Sequence, residues 1–149
     1  MSGLDMVITE ARAEELLREA LEANGQRYTE QRAAVYRYLC STESHPTADD
    51  VFTHVRGEIS DISLATVYKA LEALVGCLLA IKLTYGDGSA RYDARTDPHH
   101  HARCLICGAV SDVPGRLDAR AFAAVAAVDG FAVEGYRLEL VGQCTSCSH

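Results

Sequence analysis

An α+β fold in two units is predicted by three observations. Four successive stretches between residues 11 and 75 carry apolar residues at helical spacing, each bounded by a capping or stopping residue. Two short apolar segments then flank the turn sequence Tyr85-Gly86-Asp87-Gly88, a hairpin signature. Past residue 95 the pattern becomes β-rich around two Cys-x-x-Cys pairs, Cys104/Cys107 and Cys144/Cys147, with 36 residues between Cys107 and Cys144.

The first helix is predicted over 11–24. Ala13, Leu16, Leu17, Ala20 and Leu21 share a face, and Asn24-Gly25 supplies the stop. Thr29 caps a second helix with Ala33, Val35, Tyr36 and Leu39 inward. His45-Pro46-Thr47 is a break, and Thr47 with Asp50 three residues later makes a weak capping box for the third. Ser63 caps the fourth, Leu64 to about Val75, with Leu64, Val67, Leu71 and Leu74 inward. Leu79–Leu83 and Ala90–Tyr92 read as strands. Four helices closed by a β-hairpin are the winged helix-turn-helix plan. Arg95-Thr96-Asp97-Pro98 reads as a linker. Beyond it, 102–106 and 109–113 are predicted strands, 117–128 an Ala-rich helix, and 131–141 a strand running into the second cysteine pair. The high apolar content of this smaller unit predicts a face buried against another copy.

Two Cys-x-x-Cys pairs complete the four-thiolate shell that Zn2+ prefers. A disulfide framework suits a small secreted domain, but the start MSGLDMVITE has no basic end and no long apolar run. A reduced, cytoplasmic setting and metal binding are therefore expected. A thioredoxin-like pair would need one such motif at a helix start, not two far apart. Cys40 and Cys77 fall on apolar-periodic stretches and read as core cysteines.

The formal net charge is −7. Residues 1–90 carry eight Lys/Arg against fourteen Asp/Glu, or −6, and residues 91–149 six against seven, or −1. Bulk charge thus argues against nucleic acid, and a DNA-binding reading must rest on local arrangement. The fourth helix offers one. Ser63, Ala65, Thr66, Tyr68 and Lys69 at its start combine short side chains for close approach, hydroxyls for phosphates and longer groups for bases. Arg27, Arg32 and Arg37 can anchor flanking phosphates; an ordinary solvated helix face is the competing reading. No stretch approaches the roughly 18 apolar residues that a membrane span needs.

A second donor set lies beside the first cysteine pair. In His99-His100-His101 the outer two share one face of a strand. Asp93 stands six residues before His99, Asp112 lies past the cysteine turn, and His45 is in the helical unit. Three imidazoles and two carboxylates make a mixed N/O site suited to Fe2+ or Mn2+. A loop histidine and a surface histidine run are the plainer alternative. Such a site with an open position can also activate water, as in a metalloenzyme. No general base or nucleophile beyond the ligands accompanies it, so a non-enzyme is expected.

Together these stretches resemble the ferric uptake regulator family of metal-sensing repressors, almost end to end. They run from Arg27-Tyr28-Thr29-Glu30-Gln31-Arg32 through His45-Pro46-Thr47-Ala48-Asp49-Asp50, Ser63-Leu64-Ala65-Thr66-Val67-Tyr68, Tyr85-Gly86-Asp87-Gly88 and His99-His100-His101-Ala102-Arg103-Cys104 to Cys147. The resemblance implies a winged-helix DNA-binding domain over residues 1–94 and an α/β dimerisation domain over 95–149. It implies structural Zn2+ on Cys104, Cys107, Cys144 and Cys147, and regulatory Fe2+ or Mn2+ on His45, Asp93, His99, His101 and Asp112. Tyr68 falls where the family places a base-contacting residue. The implied partners are a second copy of the chain and double-stranded operator DNA, palindromic in form. Aspartates at 93 and 112 resemble the peroxide-sensing branch, in which bound Fe2+ reacts with hydrogen peroxide and a ligand histidine, at the positions of His45 and His99, is oxidised. The alternative is an iron- or manganese-responsive uptake regulator without peroxide sensing.

Two departures from the family pattern stand out. Pro98, His100 and Tyr136 occupy places where an additional metal site would have ligands, so that site is expected to be missing or altered. A glycine usual just after the fourth helix is replaced at Leu78. Either Gly76-Cys77-Leu78 shifts the turn by two residues, or Leu78 takes a left-handed cap at a cost of about 1 kcal/mol.

Overall fold

The computed structural model describes residues 10–84, 88–94, 99–114, 120, 130–132 and 138–148. They fall into two compact units, Met1–Thr96 and Asp97–His149.

The first unit holds α1 (Glu10–Ala23), α2 (Glu30–Ser41), α3 (Ala48–Val55), α4 (Leu64–Gly76), β1 (Ile81–Leu83) and β2 (Arg91–Asp93). Its helices begin where local chemistry dictates. The hydroxyl of Thr29 accepts from the Arg32 amide at 3.1 Å, and that of Ser63 from the Thr66 amide at 3.1 Å. The box at α3 is complete: the Asp50 amide donates to Thr47 Oγ1 at 3.2 Å, and the Thr47 amide to Asp50 Oδ2 at 3.0 Å. Each such cap stabilises by about 1 kcal/mol.

The core explains why α2 lacks a clean stripe. Ala33, Ala34, Val35 and Tyr36 are buried in succession because α2 packs against α1, α3 and α4. Leu17 and Leu21 of α1, Val51 and Val55 of α3, and Val67, Leu71 and Leu74 of α4 close around it, with Tyr92 of β2 beneath. Burying each leucine or valine contributes about 1.5–3 kcal/mol. Leu64, expected inward, is only half-buried. β1 and β2 pair antiparallel, Lys82 opposite Tyr92, and Thr47 bridges to Arg91 on the other edge of β2.

The same motif closes α1 and α4. At α1 the Gly25 amide donates to Glu22 and the Gln26 amide to Leu21, with Gly25 at φ +66°. At α4 the Leu78 amide donates to Val75 and the Leu79 amide to Leu74, with Leu78 at φ +60°. The turn has not shifted; leucine takes the left-handed position itself. Leu79, expected to open a strand, is spent on this closure, so β1 begins at Ile81. Leu78 is 81% exposed and loses little packing if truncated. Leu78→Gly is therefore expected to stabilise the chain by about 0.5–1 kcal/mol after glycine's greater unfolded-state freedom is set against the relieved strain. The urea midpoint of the full chain measures this, and a lower midpoint would contradict it.

In the second unit, β3 (His100–Cys104) lies between β4 (Val110–Val113) and β5 (Leu140–Gly142). β4 is antiparallel to β3 and β5 is parallel to it. β3 starts two residues earlier than predicted and stops at Cys104, because Leu105 and Ile106 form the cysteine turn. The predicted helix 117–128 lies, apart from Arg120, outside the described residues. So do Pro98 and Tyr136. Of the strand predicted over 131–141, residues 133–137 lie outside them too, and β5 occupies 140–142.

Candidate metal centre

The parallel pairing of β3 and β5 brings the cysteines together. Cys104 is opposite Gly142, and both strands run in the same direction into a Cys-x-x-Cys turn. The Leu105 amide donates to the Gly142 carbonyl at 2.8 Å, and the Cys144 amide to Cys104 Sγ at 3.4 Å. The four Sγ atoms of Cys104, Cys107, Cys144 and Cys147 lie within 4.8 Å of one another, with Cys107 and Cys144 at 3.7 Å. A tetrahedron with Zn–S bonds of about 2.3 Å has edges of about 3.8 Å, so the cluster fits zinc. It does not fit a disulfide, whose sulfurs stand about 2.05 Å apart, and all six cysteines are free thiols. Amides of Cys107, Cys144 and Ile106 directed at Cys104 hold its thiol down at about 6. Hydrogen bonds to the Cys144 and Cys107 sulfurs push Cys147 up to about 12. Arg103 adds a second tie, its Nε and Nη2 donating to Glu139 Oε1 at 2.9 and 2.8 Å.

The imidazole and carboxylate donors form a group in each unit. In the first, His45 Nε2 lies 3.1 Å from Asp93 Oδ2, and His45 is 3% exposed. The loop carrying His45 is held to β2: the Tyr92 amide donates to the Pro46 carbonyl at 2.9 Å, and Arg91 Nη1 to the His45 carbonyl at 2.8 Å. In the second, strand register sets His101 directly opposite Asp112. His99, two residues earlier, shares that face. Asp112 Oδ1 is 3.0 Å from His99 Nε2 and 3.3 Å from His101 Nε2. The two rings are 4.4 Å apart and tilted by 60°. Adjacent ligands on an octahedral ion with bonds of about 2.1 Å are separated by about 3.0 Å. Both groups therefore match the ligand edges of a divalent ion, and their N/O chemistry matches Fe2+ or Mn2+. His100 falls on the opposite face of β3. Sequence reading missed Arg91; its only sequence signal is its place two residues before Asp93.

The α4 residues expected at DNA share one exposed face. Ala65, Tyr68 and Lys69 are exposed there, Tyr68 at 45%. Thr66 is half-buried, and Ser63 Oγ is committed to the cap and to Thr66 Oγ1 at 2.9 Å. Glu72 on the same face pairs with Lys82 of β1 at 3.1 Å, tying hairpin to helix. Arg27 is exposed, and Arg32 donates to its carbonyl. Arg37 does not stand ready for a phosphate: its guanidinium pairs with Glu58.

Known proteins share the sequence pattern and the fold of this chain. The model of the ferric uptake regulator family matches residues 23–141. The chain is 42% identical over 137 residues to the peroxide operon regulator of Bacillus subtilis, covering 89% of this chain and 93% of that one. It is 38% identical over 129 residues to the peroxide-responsive repressor PerR of Staphylococcus epidermidis, covering 86% and 85%. Among solved structures, the Helicobacter pylori ferric uptake regulator shares the fold, with a TM-score of 0.79 at 21% identity over 93% of both chains. The Campylobacter jejuni peroxide stress regulator superposes with a TM-score of 0.61 at 27% identity, covering 90% of this chain and 97% of that one. Sharing its sequence pattern and its fold, the chain belongs to the ferric uptake regulator family, whose members are DNA-binding transcriptional regulators and not enzymes.

Proposed function

We propose that this chain is a metal-dependent transcriptional repressor that releases DNA in response to hydrogen peroxide. The observation that carries the reading is the pair of aspartate–imidazole groups, spaced as the ligands of a divalent ion, in a chain 42% identical to a peroxide operon regulator. In this reading His45, Asp93, His99, His101 and Asp112 bind one regulatory Fe2+ or Mn2+, and Cys104, Cys107, Cys144 and Cys147 hold structural Zn2+. Residues 1–94 bind DNA and 95–149 dimerise. The exposed face of α4 reads bases through Tyr68, with Ala65 allowing close approach, while Arg27, Arg32, Ser63, Thr66 and Lys69 meet phosphates. A two-fold dimer calls for a palindromic operator. Among the described residues no helix is long and apolar enough to cross a membrane, in keeping with a cytoplasmic regulator.

Bound Fe2+ supplies the one-electron chemistry that reduces peroxide. The chain's own part is to supply the imidazole and carboxylate donors. His45 or His99, once its ring gains oxygen, is a poorer donor, and the shell loses a ligand.

The test is a mobility shift on a palindromic operator under anaerobic conditions, with Mn2+ or Fe2+, before and after peroxide. The iron form is expected to release DNA, with one oxygen added to His45 or His99 by mass spectrometry, while the manganese form stays bound. If the iron form keeps its DNA and both histidines stay unmodified, peroxide sensing fails and a regulator of metal uptake is left.

A further inference from the structure

We infer that Arg91 is a positioning residue for the regulatory metal: it sets His45 at the correct distance from Asp93 before any ion arrives. The inference rests on the reading of His45 and Asp93 as ligands. His45 sits in the connection between α2 and α3, outside any helix or strand. The residue after it, Pro46, has no amide hydrogen with which to anchor the loop. What holds the segment is β2. The His45 carbonyl accepts from Arg91 Nη1 at 2.8 Å, and the Pro46 carbonyl from the Tyr92 amide at 2.9 Å. Asp93 is the next residue along the same strand, and its Oδ2 stands 3.1 Å from His45 Nε2. Three consecutive residues of β2 thus fix the histidine's peptide, fix its neighbour and present the second ligand.

The two anchors differ in kind. The Tyr92 ring is core, 1% exposed, so truncating it would disturb the whole unit. Arg91 is half-buried, and its guanidinium bond is a charge-assisted one made by a side chain. Removing that bond leaves β2 in register through Lys82–Tyr92 pairing and the Tyr92–Pro46 bond, but frees the His45 peptide to rotate. The metal must then order His45 as it binds, which lowers affinity without altering any ligand. Losing an outer-shell support of this kind typically costs about 10- to 100-fold in metal affinity.

The experiment uses the full chain carrying its zinc. Mn2+ affinity by competition with a chelating dye, thermal midpoint without Mn2+ and zinc content are measured for the parent chain, Arg91→Met, Arg91→Lys and His45→Ala. Arg91→Met is expected to bind Mn2+ at least about tenfold more weakly with an unchanged midpoint and zinc content. Arg91→Lys, which keeps one charged donor, is expected to recover most of the loss. If Arg91→Met binds Mn2+ like the parent while His45→Ala does not, the positioning role is wrong and the ligand reading stands. If His45→Ala also binds like the parent, the ligand reading falls and this inference with it. If affinity and midpoint drop together and lysine rescues neither, Arg91 is a plain structural residue and the inference is overturned.

Discussion

Cys144→Ser is expected to leave the chain without its zinc and its C-terminal unit without a stable fold. Among the described residues of that unit, only His101, Cys104 and Val110 are buried, so the described parts of its three short strands share little buried apolar surface apart from the cysteine cluster. β5 itself is three residues long and joined to β3 at Ala102–Leu140, Arg103–Val141 and Cys104–Gly142. Four-cysteine zinc sites supply about 10–16 kcal/mol of apparent binding energy to small domains, which is folding energy when the site forms only on folding. Serine keeps the volume and removes the thiolate. Expected outcomes are loss of bound zinc by metal analysis, loss of amide protection in β3 and β5, and retention of the helical signal from α1 to α4, whose core is independent of zinc. A variant that kept its zinc and its protected strands would remove the staple role from this cluster.

Asp112→Asn is expected to abolish the Mn2+ response while sparing zinc. One oxygen of Asp112 serves both His99 and His101, at 3.0 and 3.3 Å. The asparagine preserves shape and hydrogen bonding but withdraws the negative charge that a divalent ion requires beside two neutral imidazoles. The loss should reach at least the hundredfold that marks the upper end of outer-shell changes, about 2.8 kcal/mol at 1.4 kcal/mol per decade. Mn2+ titration by calorimetry and operator binding against Mn2+ concentration measure it. Zinc content and thermal midpoint should stay at parent values, which separates this variant from Cys144→Ser. Undiminished Mn2+ affinity would exclude Asp112 from the shell.

What was legible in the sequence was what local chemistry decides. Thr29, Thr47 and Ser63 mark the helix starts because an oxygen three residues before an unpaired amide caps it wherever the rest of the chain lies. The four cysteines could be grouped from their spacing, whereas the His45, Asp93, His99, His101 and Asp112 set came from the family resemblance, since isolated histidines and aspartates at such spacings also serve as ordinary loop and surface residues. Strand limits were less legible. Leu105 and Ile106 look like strand residues, but the turn that aims two cysteines at one point takes them, leaving them 60% and 61% exposed. The parallel pairing of β3 with β5 joins segments about forty residues apart, and no local pattern encodes it. Arg91 was invisible for a related reason: its partner is a backbone carbonyl 46 residues away, and every residue type has one of those.

The register of β3 has a consequence for how the molecule matures. In the proposed reading alternate residues of this strand serve different ions: His101 faces Asp112, and Cys104 lies on the other side. A slip of one residue would exchange those faces and spoil both sites together. Zinc binding selects the one alignment in which the cysteine turns meet, so it proofreads the strand on which the histidines ride. On the proposed function, competence to sense is thereby licensed by a metal that takes no part in sensing, and the supply of zinc sets a quota on how many copies can answer an oxidant at all.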